Sequence, residues 1–397
     1  MPIRSDKVRN AFIKLGIPED NRVILCLDGG GIRGILTLQL LKKIEEIAGV
    51  PCYELFDMVS GTSTGGIMAG LIAFGKEASA IEELYKKLVT KVFTAKGLFA
   101  NRFLNPPGYS KKNYRSALKD IVGNITLQQT CNVTETDLLI TSKDVAAGEE
   151  TFFSCFENED NPKRIYKDVL LRAAIEATMS APTYFTSLER FVDGGTTTFN
   201  NPGLATIMEA VQYGPKKKYD LQKLTVFSLG TATTVQFVNP DLVTNPEGTD
   251  LKFWLNWIMD EASQDSSDMQ MDIMRNLLVP LAVDFRRFQI SLDRDSIGKL
   301  PNRNIKDLHY TEGDWLHDLT EADLKGVKLD DVGKFALMEQ IGLAMVDYIC
   351  SDKSGNNFFK TDLVNERKRD QLISVRGDVD RIQKQMSDPA WLDALPD

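Results

Sequence analysis

Histidine is scarce in this sequence, which has two among 397 residues, His309 and His317. The five cysteines are scattered and form no CxxC pair, so the usual zinc-binding spacings of cysteine and histidine are absent. Positive charge is outweighed by negative charge, since the formal net charge at pH 7 is -9. We therefore expect no metal, no other cofactor and no nucleic-acid polymer as a partner.

Long apolar segments are also missing. No run of about eighteen apolar residues marks a membrane-spanning helix. Residues 1–21 alternate charged and apolar positions, without the hydrophobic stretch of a secretion signal. Cys26 lies in an apolar run, as a buried free thiol commonly does, and the odd number of cysteines fits a reducing compartment. These features predict a cytoplasmic protein.

The chain does contain enough apolar sequence for a large core, because 43% of its residues are hydrophobic and 26% are charged. Short apolar runs alternate with segments of helical periodicity. This alternation predicts an α/β fold with a mostly parallel sheet covered by helices on both faces. Strands are predicted at residues 23–27, 58–60, 138–141, 151–155, 191–192 and 224–229.

The character of the sequence changes near residue 350. Residues 351–357 are polar, and residues 366–386 form a highly charged stretch with a thin apolar stripe at helical spacing. We therefore divide the chain into a main α/β domain, residues 1–350, and a charged helical C-terminal tail, residues 351–397. The tail either docks on the main domain or pairs with a second copy of the chain in a homo-oligomer.

The strongest motif is Gly61-Thr62-Ser63-Thr64-Gly65, which follows a predicted strand and precedes a helix. A nucleophile elbow has this arrangement, because Gly61 and Gly65 remove Cβ clashes where the chain reverses and leave the serine hydroxyl exposed. The alternative is a glycine-rich turn in which Ser63 only caps the next helix. The strand and helix on either side favour Ser63 as a nucleophile.

A second glycine-rich turn, Asp28-Gly-Gly-Gly-Ile-Arg-Gly34, also lies between a predicted strand and a helix. Consecutive backbone N–H groups at a helix N-terminus bind an oxyanion or a phosphate. A nucleotide phosphate loop is a weak alternative, because the Lys-Ser/Thr of such a loop is absent. A tight turn without any ligand is the other alternative.

A serine nucleophile needs a base. Asp193 follows a predicted strand and begins a third glycine turn, Asp193-Gly-Gly195, so it is one candidate. The order Ser63, Asp193, His309 also matches the triad of α/β-hydrolases. His309 and His317 otherwise look like surface residues in a polar stretch. An aspartate base is expected to stay active to lower pH than a histidine base with a pKa near 6.5.

Together, the segments DGGGIRG, GTSTG and DGG resemble the defining motifs of the patatin-like phospholipases, in the order found in that family. The resemblance extends over residues 20–350. Further similar segments are residues 176–185, 200–202, 228–231, 285–289 and 329–350.

This resemblance implies a three-layer α/β/α sandwich with a Ser–Asp dyad and no histidine or metal. Ser63 would be the nucleophile and Asp193 the base. The backbone N–H groups of Gly29, Gly30 and Gly31 would form the oxyanion hole, and Arg33 would lock that loop or offset charge.

The resemblance further implies phospholipase A-type hydrolysis of fatty-acyl esters in phospholipids or related glycerolipids, by a protein peripheral to the membrane. Alternatives are an acyltransferase or thioesterase on the same fold, or a storage or scaffold protein with incidental esterase activity. Some bacterial members are defence effectors activated by cyclic nucleotides. One stretch of the chain is rich in basic residues. It would suit such a phosphate ligand or an anionic membrane surface, or it is simply a solvated helix face. Its basic residues are Lys86, Lys87, Lys91, Lys96, Arg102, Lys111, Lys112, Arg115 and Lys119.

Overall fold

A mixed, mostly parallel β-sheet forms the centre of the computed structural model. The structure describes residues 4–92, 109–156, 166–182, 184–215, 218–234, 253–254, 265–278, 283–305, 315–324, 327–350 and 383–394. In this part of the chain the sheet has seven strands. They are β1 (Arg22–Leu27), β2 (Met58–Gly61), β3 (Asp137–Asp144), β4 (Glu149–Ser154), β5 (Phe191–Asp193), β6 (Leu224–Leu229) and β7 (Asp284–Phe288).

The strand order is β4-β3-β2-β1-β6-β7, and β5 also pairs with β3. All neighbours from β3 to β7 along this order are parallel, whereas β4 and β5 run antiparallel to β3. The predicted α/β class and the mostly parallel sheet are confirmed. The sequence does not predict β7, because Arg286 and Arg287 interrupt its apolar residues, yet both arginines are buried.

Helices connect the strands and follow them. They are α1 (Asp6–Lys14), α2 (Gly34–Ala48), α3 (Cys52–Leu55), α4 (Thr64–Ala73), α5 (Ala78–Val92), α6 (Lys112–Val122), α7 (Leu127–Thr134), α8 (Leu171–Thr178), α9 (Gly203–Tyr213), α10 (Arg294–Ile297), α11 (Glu321–Leu324), α12 (Phe335–Ile349) and α13 (Pro389–Asp393). Every residue of β2 and β6, and every residue of β1 except Arg22, is buried. Both faces of the central strands are therefore covered, as in a three-layer α/β/α sandwich.

Strand β3 brings two distant strands end to end. Its first half pairs with β2, up to the pair Gly61 and Ile140. Its second half pairs with β5, beginning at the pair Asp193 and Ser142. Strand β4 occupies the other edge of β3, so β2 and β5 share one edge. Because β5 runs antiparallel to β3, the C-terminal ends of β2 and β5 face each other across Thr141.

The chain forms two compact units, Met1–Val364 and Asn365–Asp397. In the second unit, residues 383–386 and α13 are helical. The predicted boundary at residue 350 and most of the predicted tail helix, residues 366–386, adjoin or lie outside the described residues. That division stays a prediction.

Two of the five cysteines are paired. Cys131 on α7 forms a disulfide with Cys155, which directly follows β4, across a sequence separation of 24 residues. The two cysteines have no local spacing signal, which is why they look unpaired and scattered in the sequence. Cys26 is free and buried, as predicted. Within the described residues, no helix combines the length and the apolar character needed to cross a membrane.

Candidate active site

Ser63 lies in a sharp turn between β2 and α4. Its backbone has φ 53° and ψ -122°, a conformation that is strained for a residue with a side chain and typical of a nucleophile elbow. A Cβ added at Gly61 would lie 2.1 Å from the carbonyl oxygen of Gly65, and one at Gly65 would lie 2.2 Å from that of Leu27. The turn therefore needs glycine at both positions. Thr178 supports it by accepting a 2.7 Å hydrogen bond from the Ser63 N–H.

The side chains of Ser63 and Asp193 are in direct contact. Ser63 Oγ donates a 2.7 Å hydrogen bond to Asp193 Oδ2. The other carboxylate oxygen, Oδ1, accepts a 2.7 Å hydrogen bond from the N–H of Gly195. This second bond fixes the carboxylate plane, so that one oxygen faces the serine. The end-to-end arrangement of β2 and β5 thus brings together two residues that are 130 positions apart in sequence.

Burial makes Asp193 a stronger base than an exposed aspartate. Only 4% of the residue is exposed, and this desolvation raises the pKa of Asp193 from 3.8 to about 7, against the opposing hydrogen bonds from Gly195 and Ser63. A carboxylate with that pKa is suited to accept a proton near neutral pH. A carboxylate with this pKa also titrates in the same pH range as a histidine side chain. The sequence-based expectation of activity to lower pH is therefore unsupported, and a pH profile does not distinguish the two bases.

Backbone hydrogen bonds hold both ends of the glycine-rich turn after β1. The N–H of Gly29 donates to the carbonyl of Asn200 at 3.1 Å, and the N–H of Ile32 donates to the carbonyl of Leu329 at 2.9 Å. Gly29 was predicted as an oxyanion donor. Its N–H is committed to Asn200, so Gly29 supports the turn instead.

Between these ends, the N–H groups of Gly30 and Gly31 have no acceptor among the described residues. The turn lies beside the nucleophile, because a Cβ added at Gly29 would be 3.2 Å from Ser63 Cβ. Gly31 adopts φ +55°, a conformation that favours glycine. Two unpaired N–H groups next to a serine hydroxyl can stabilise an oxyanion.

The carbonyl groups of the same turn are also held. Gly30 O accepts hydrogen bonds from Arg33, at 3.1 Å from its N–H and 3.4 Å from its Nε. Gly31 O accepts a hydrogen bond from the hydroxyl of Tyr85, which is buried on α5. The Arg33 side chain therefore folds back on the turn, in a position that would suit the locking role implied by the resemblance.

A buried ion pair fixes the start of the turn. Both carboxylate oxygens of Asp28 accept hydrogen bonds from Arg287 on β7, at 2.8 and 2.5 Å. Arg287 also donates to Ser228 Oγ at 2.8 Å. The sequence pattern does not identify Arg287 as part of the site, because nothing in it indicates that β7 lies two strands away from β1.

The structure does not place the described histidine at the dyad. His317 Nε2 is 2.6 Å from the carbonyl oxygen of Leu300, and its backbone N–H donates to Asn302. Among the described residues, the partners of the Asp193 carboxylate oxygens are Ser63 and Gly195 and no histidine. His309 lies outside the described residues. The described part of the chain also contains no group of three or more His, Cys, Asp or Glu side chains arranged for a metal ion.

Three residues of the predicted basic stretch form ion pairs with acids. Lys86 forms ion pairs with Glu82 at 2.9 Å and Glu339 at 2.7 Å. Lys111 and Arg115 both pair with Glu176. These contacts neutralise much of the local positive charge, whereas Lys96 and Arg102 lie outside the described residues.

The fold and the site define the class. A nucleophile-elbow serine bonded directly to a buried aspartate, beside a turn with free N–H groups, is the architecture of a serine acyl hydrolase that uses a carboxylate base. The sequence model of the patatin-like phospholipases matches residues 25–206, which include both dyad residues. Over this segment, a little under half of its length, the chain matches the patatin-like phospholipase family.

The chain is also similar to individual proteins. The 85/88 kDa calcium-independent phospholipase A2 of Mus musculus is 31% identical over 261 residues, which are 59% of this chain and 30% of that protein. A cGAMP-activated phospholipase of Vibrio cholerae is 30% identical over 234 residues, 52% of this chain and 64% of that protein. The chain thus spans less than two thirds of these relatives. The crystal structure of VipD from Legionella pneumophila aligns with 93% of this chain and 76% of its own, at 12% identity and a TM-score of 0.35.

Proposed function

We propose that the protein is a lipid acyl hydrolase of phospholipase A type, which cleaves fatty-acyl esters of phospholipids or related glycerolipids. One observation carries the proposal: Ser63 Oγ donates a 2.7 Å hydrogen bond to a buried carboxylate, Asp193, whose pKa is raised to about 7. This contact supplies a nucleophile and its proton acceptor without a third residue.

In the first half of the proposed reaction, Ser63 Oγ attacks the ester carbonyl carbon and its proton passes to Asp193 Oδ2. The carbonyl π electrons move to oxygen, and the N–H groups of Gly30 and Gly31 stabilise the resulting oxyanion. When the tetrahedral intermediate collapses, the bond to the leaving alcohol breaks and that oxygen takes the proton from Asp193. The acyl group remains on Ser63.

In the second half, water enters and attacks the acyl carbon. Asp193 accepts a proton from the water, and the same two N–H groups stabilise the second oxyanion. Collapse breaks the bond to Ser63 Oγ, which recovers the proton from Asp193, and a free fatty acid leaves. Each half uses Asp193 first as base and then as acid, so the dyad returns to its starting state.

The match to the patatin-like phospholipase model supports a phospholipid as substrate, which a peripherally bound protein would meet at the membrane surface. An acyltransferase would use another alcohol in place of water, and a thioesterase would release a thiol. Added glycerol or lysophospholipid tests the first of these, because a transferase forms an acylated acceptor at the expense of free fatty acid.

The test compares wild type with Ser63→Ala on phospholipid vesicles, with release of fatty acid as the readout. Ser110→Ala, which removes an exposed hydroxyl, is the control. We expect Ser63→Ala to lose hydrolysis and labelling by a fluorophosphonate while remaining folded, and the control to keep both. Hydrolysis by Ser63→Ala at the wild-type rate would refute the proposal, as would the absence of acyl-ester turnover in wild type.

The name of the Vibrio cholerae relative extends the proposal to regulation. We expect a cyclic dinucleotide to raise phospholipid turnover by wild type, with a linear dinucleotide as the control. Two lysines of the basic stretch, Lys86 and Lys111, are already paired with acids, which does not favour that part of it as the nucleotide site. Equal turnover with both nucleotides would remove this extension and leave the hydrolase proposal intact.

A further inference from the structure

We propose that Thr231 is a positioning residue that orients the Gly30 N–H toward the oxyanion, acting through the peptide group between Gly29 and Gly30. The inference rests on the proposed function, in which that N–H is one of two oxyanion donors. Thr231 ends the segment Ser228-Leu-Gly-Thr231, which resembles a family motif but received no role in the sequence analysis.

The contact itself is direct. Thr231 is 2% exposed, and its Oγ1 donates a 2.7 Å hydrogen bond to the carbonyl oxygen of Gly29. That oxygen and the N–H of Gly30 belong to one planar peptide group. Fixing the direction of the carbonyl therefore fixes the direction of the N–H on the opposite side of the plane.

Packing restrains the same peptide. A Cβ added at Gly30 would lie 2.2 Å from Thr231 Oγ1 and 2.4 Å from Thr231 Cβ. The threonine side chain thus lies against the Cα of Gly30, and this contact limits translation of the peptide while the hydrogen bond limits its rotation. A donor to the carbonyl also polarises the amide, which makes the N–H a better donor.

The sheet explains why this threonine is in the right place. Leu27 of β1 pairs with Leu229 of β6, and the ladder continues with a 3.0 Å hydrogen bond from the Asp28 N–H to the Leu229 carbonyl. Gly29 and Thr231 each lie two residues beyond this pair of leucines, at the same edge of the sheet. The register of two parallel strands therefore sets the Thr231 contact.

The second donor is held independently. The N–H of Gly31 shares its peptide group with Gly30 O, which accepts from Arg33 at 3.1 Å. Loss of the Thr231 hydroxyl should consequently misdirect one donor and leave the other in place. The expected effect is smaller than the loss of a whole oxyanion donor, which lowers turnover by about 10²–10³-fold.

The experiment uses two pairs of side chains that differ mainly in the hydroxyl: Thr231 against Thr231→Val, and Thr231→Ser against Thr231→Ala. We expect Thr231→Val and Thr231→Ala to lower kcat by about tenfold or more with little change in KM, because the donor acts in the transition state. Thr231→Ser should remain close to wild type. The second pair decides the question even if the valine variant does not fold.

Thr136→Val is the matched control. Thr136 is also buried, and its Oγ1 donates a 2.9 Å hydrogen bond to the carbonyl of Tyr53. It directly precedes β3, at the edge of the sheet opposite the site. This variant loses a comparable hydrogen bond, so we expect it to lower thermal stability and leave kcat unchanged.

A second readout separates positioning from general structural damage. A trifluoromethyl ketone forms an adduct with a serine nucleophile that carries a negatively charged oxygen, whereas the corresponding secondary alcohol forms none. Thr231→Val and Thr231→Ala should weaken inhibition by the ketone about as much as they lower kcat, with unchanged inhibition by the alcohol.

Wild-type kcat in Thr231→Val would overturn the inference, and so would equal losses in Thr231→Ser and Thr231→Ala. Failure of the proposed function looks different, because Ser63→Ala would then hydrolyse ester like wild type and the ketone would form no adduct with Ser63.

Discussion

Replacement of the Asp193 carboxylate by an amide, Asp193→Asn, should stabilise the protein as the pH rises. The folded-state pKa of about 7 lies above the value of 3.8 for the free side chain. Between these two values the unfolded chain has lost the proton that the folded protein retains. Wild-type stability therefore falls with pH by about 1.4 kcal/mol per pH unit over this window.

The sign of the effect follows from the raised pKa. The favourable contribution of the protonated carboxyl is fully present below pH 3.8 and is lost as the pH rises through about 7. The total loss is about 4 kcal/mol, of which about 3 kcal/mol falls between pH 5 and pH 9. An asparagine does not titrate, so Asp193→Asn should gain this amount relative to wild type over the same range. Its amide retains an oxygen for the Gly195 N–H.

The assay is urea unfolding of both proteins from pH 5 to pH 9. The difference in free energy of unfolding between variant and wild type is the readout, because the titration of other groups cancels in it. We expect a difference that increases up to about pH 7 and then levels off. A difference that does not change with pH would refute the reasoning about burial.

Glu176→Gln provides a control of opposite sign. Burial raises the pKa of Glu176, but the hydrogen bond from Arg115 and the charge of Lys111 outweigh it, so the pKa lies below the ordinary value of 4.5. The ionised form stabilises the folded protein and is already present at neutral pH. Glu176→Gln should therefore destabilise the protein throughout pH 5 to 9. Its difference in free energy of unfolding from wild type should not increase with pH, unlike that of Asp193→Asn.

Activity should move in the opposite direction from stability in Asp193→Asn. The amide is too weak a base to take the proton of Ser63, so we expect turnover to fall by about 10²–10⁴-fold, the usual contribution of a general base. In wild type, kcat/KM should rise with pH through about 7 as Asp193 ionises. The same buried carboxylate thus destabilises the fold and enables the reaction.

Three further variants test other parts of the site. Gly31→Ala should lower turnover by orders of magnitude, because Gly31 has φ +55° and an added Cβ would lie 2.1 Å from the carbonyl oxygen of Leu329. Normal turnover by this variant would show that the turn is only structural. Arg287→Met should destabilise the protein by about 3–5 kcal/mol, since it leaves Asp28 buried without its partner, and unchanged urea unfolding would contradict this. His317→Ala should keep full ester hydrolysis and lose about 1 kcal/mol of stability with the bond to Leu300. An inactive but folded His317→Ala would restore histidine as the base.

The sequence predicts the parts of the site that depend on local pattern. Gly61 to Gly65 and Asp28 to Gly34 lie between apolar runs and helical periodicity, and such boundaries are readable without tertiary information. The pattern alone left Asp193 and His309 as competing partners of Ser63, and the family resemblance favoured the aspartate. The structure adds a direct hydrogen bond between Ser63 and Asp193, which supports the aspartate as the proposed base.

Contacts between distant segments were not predictable. Arg287 meets Asp28 and Thr231 meets Gly29 because β7, β6 and β1 are neighbours in the sheet. No spacing in the sequence encodes that order. The pKa of Asp193 depends on burial by residues from several segments, and the loss of Gly29 as a donor depends on the carbonyl of Asn200. Both follow only from the assembled fold.

The end-to-end pairing of β2 and β5 on β3 also bears on how the protein tolerates changes in length. The distance between Ser63 and Asp193 is set by one residue of β3, Thr141, and not by the 130 positions that separate them along the chain. Insertions in the loops of that interval should therefore leave the dyad intact. A single-residue insertion at Thr141 should move the two groups apart by about 3.3 Å, the rise of one strand residue, and a deletion should force them together by the same amount. Variation in loop length and strict conservation of length in β3 are thus the expected evolutionary pattern.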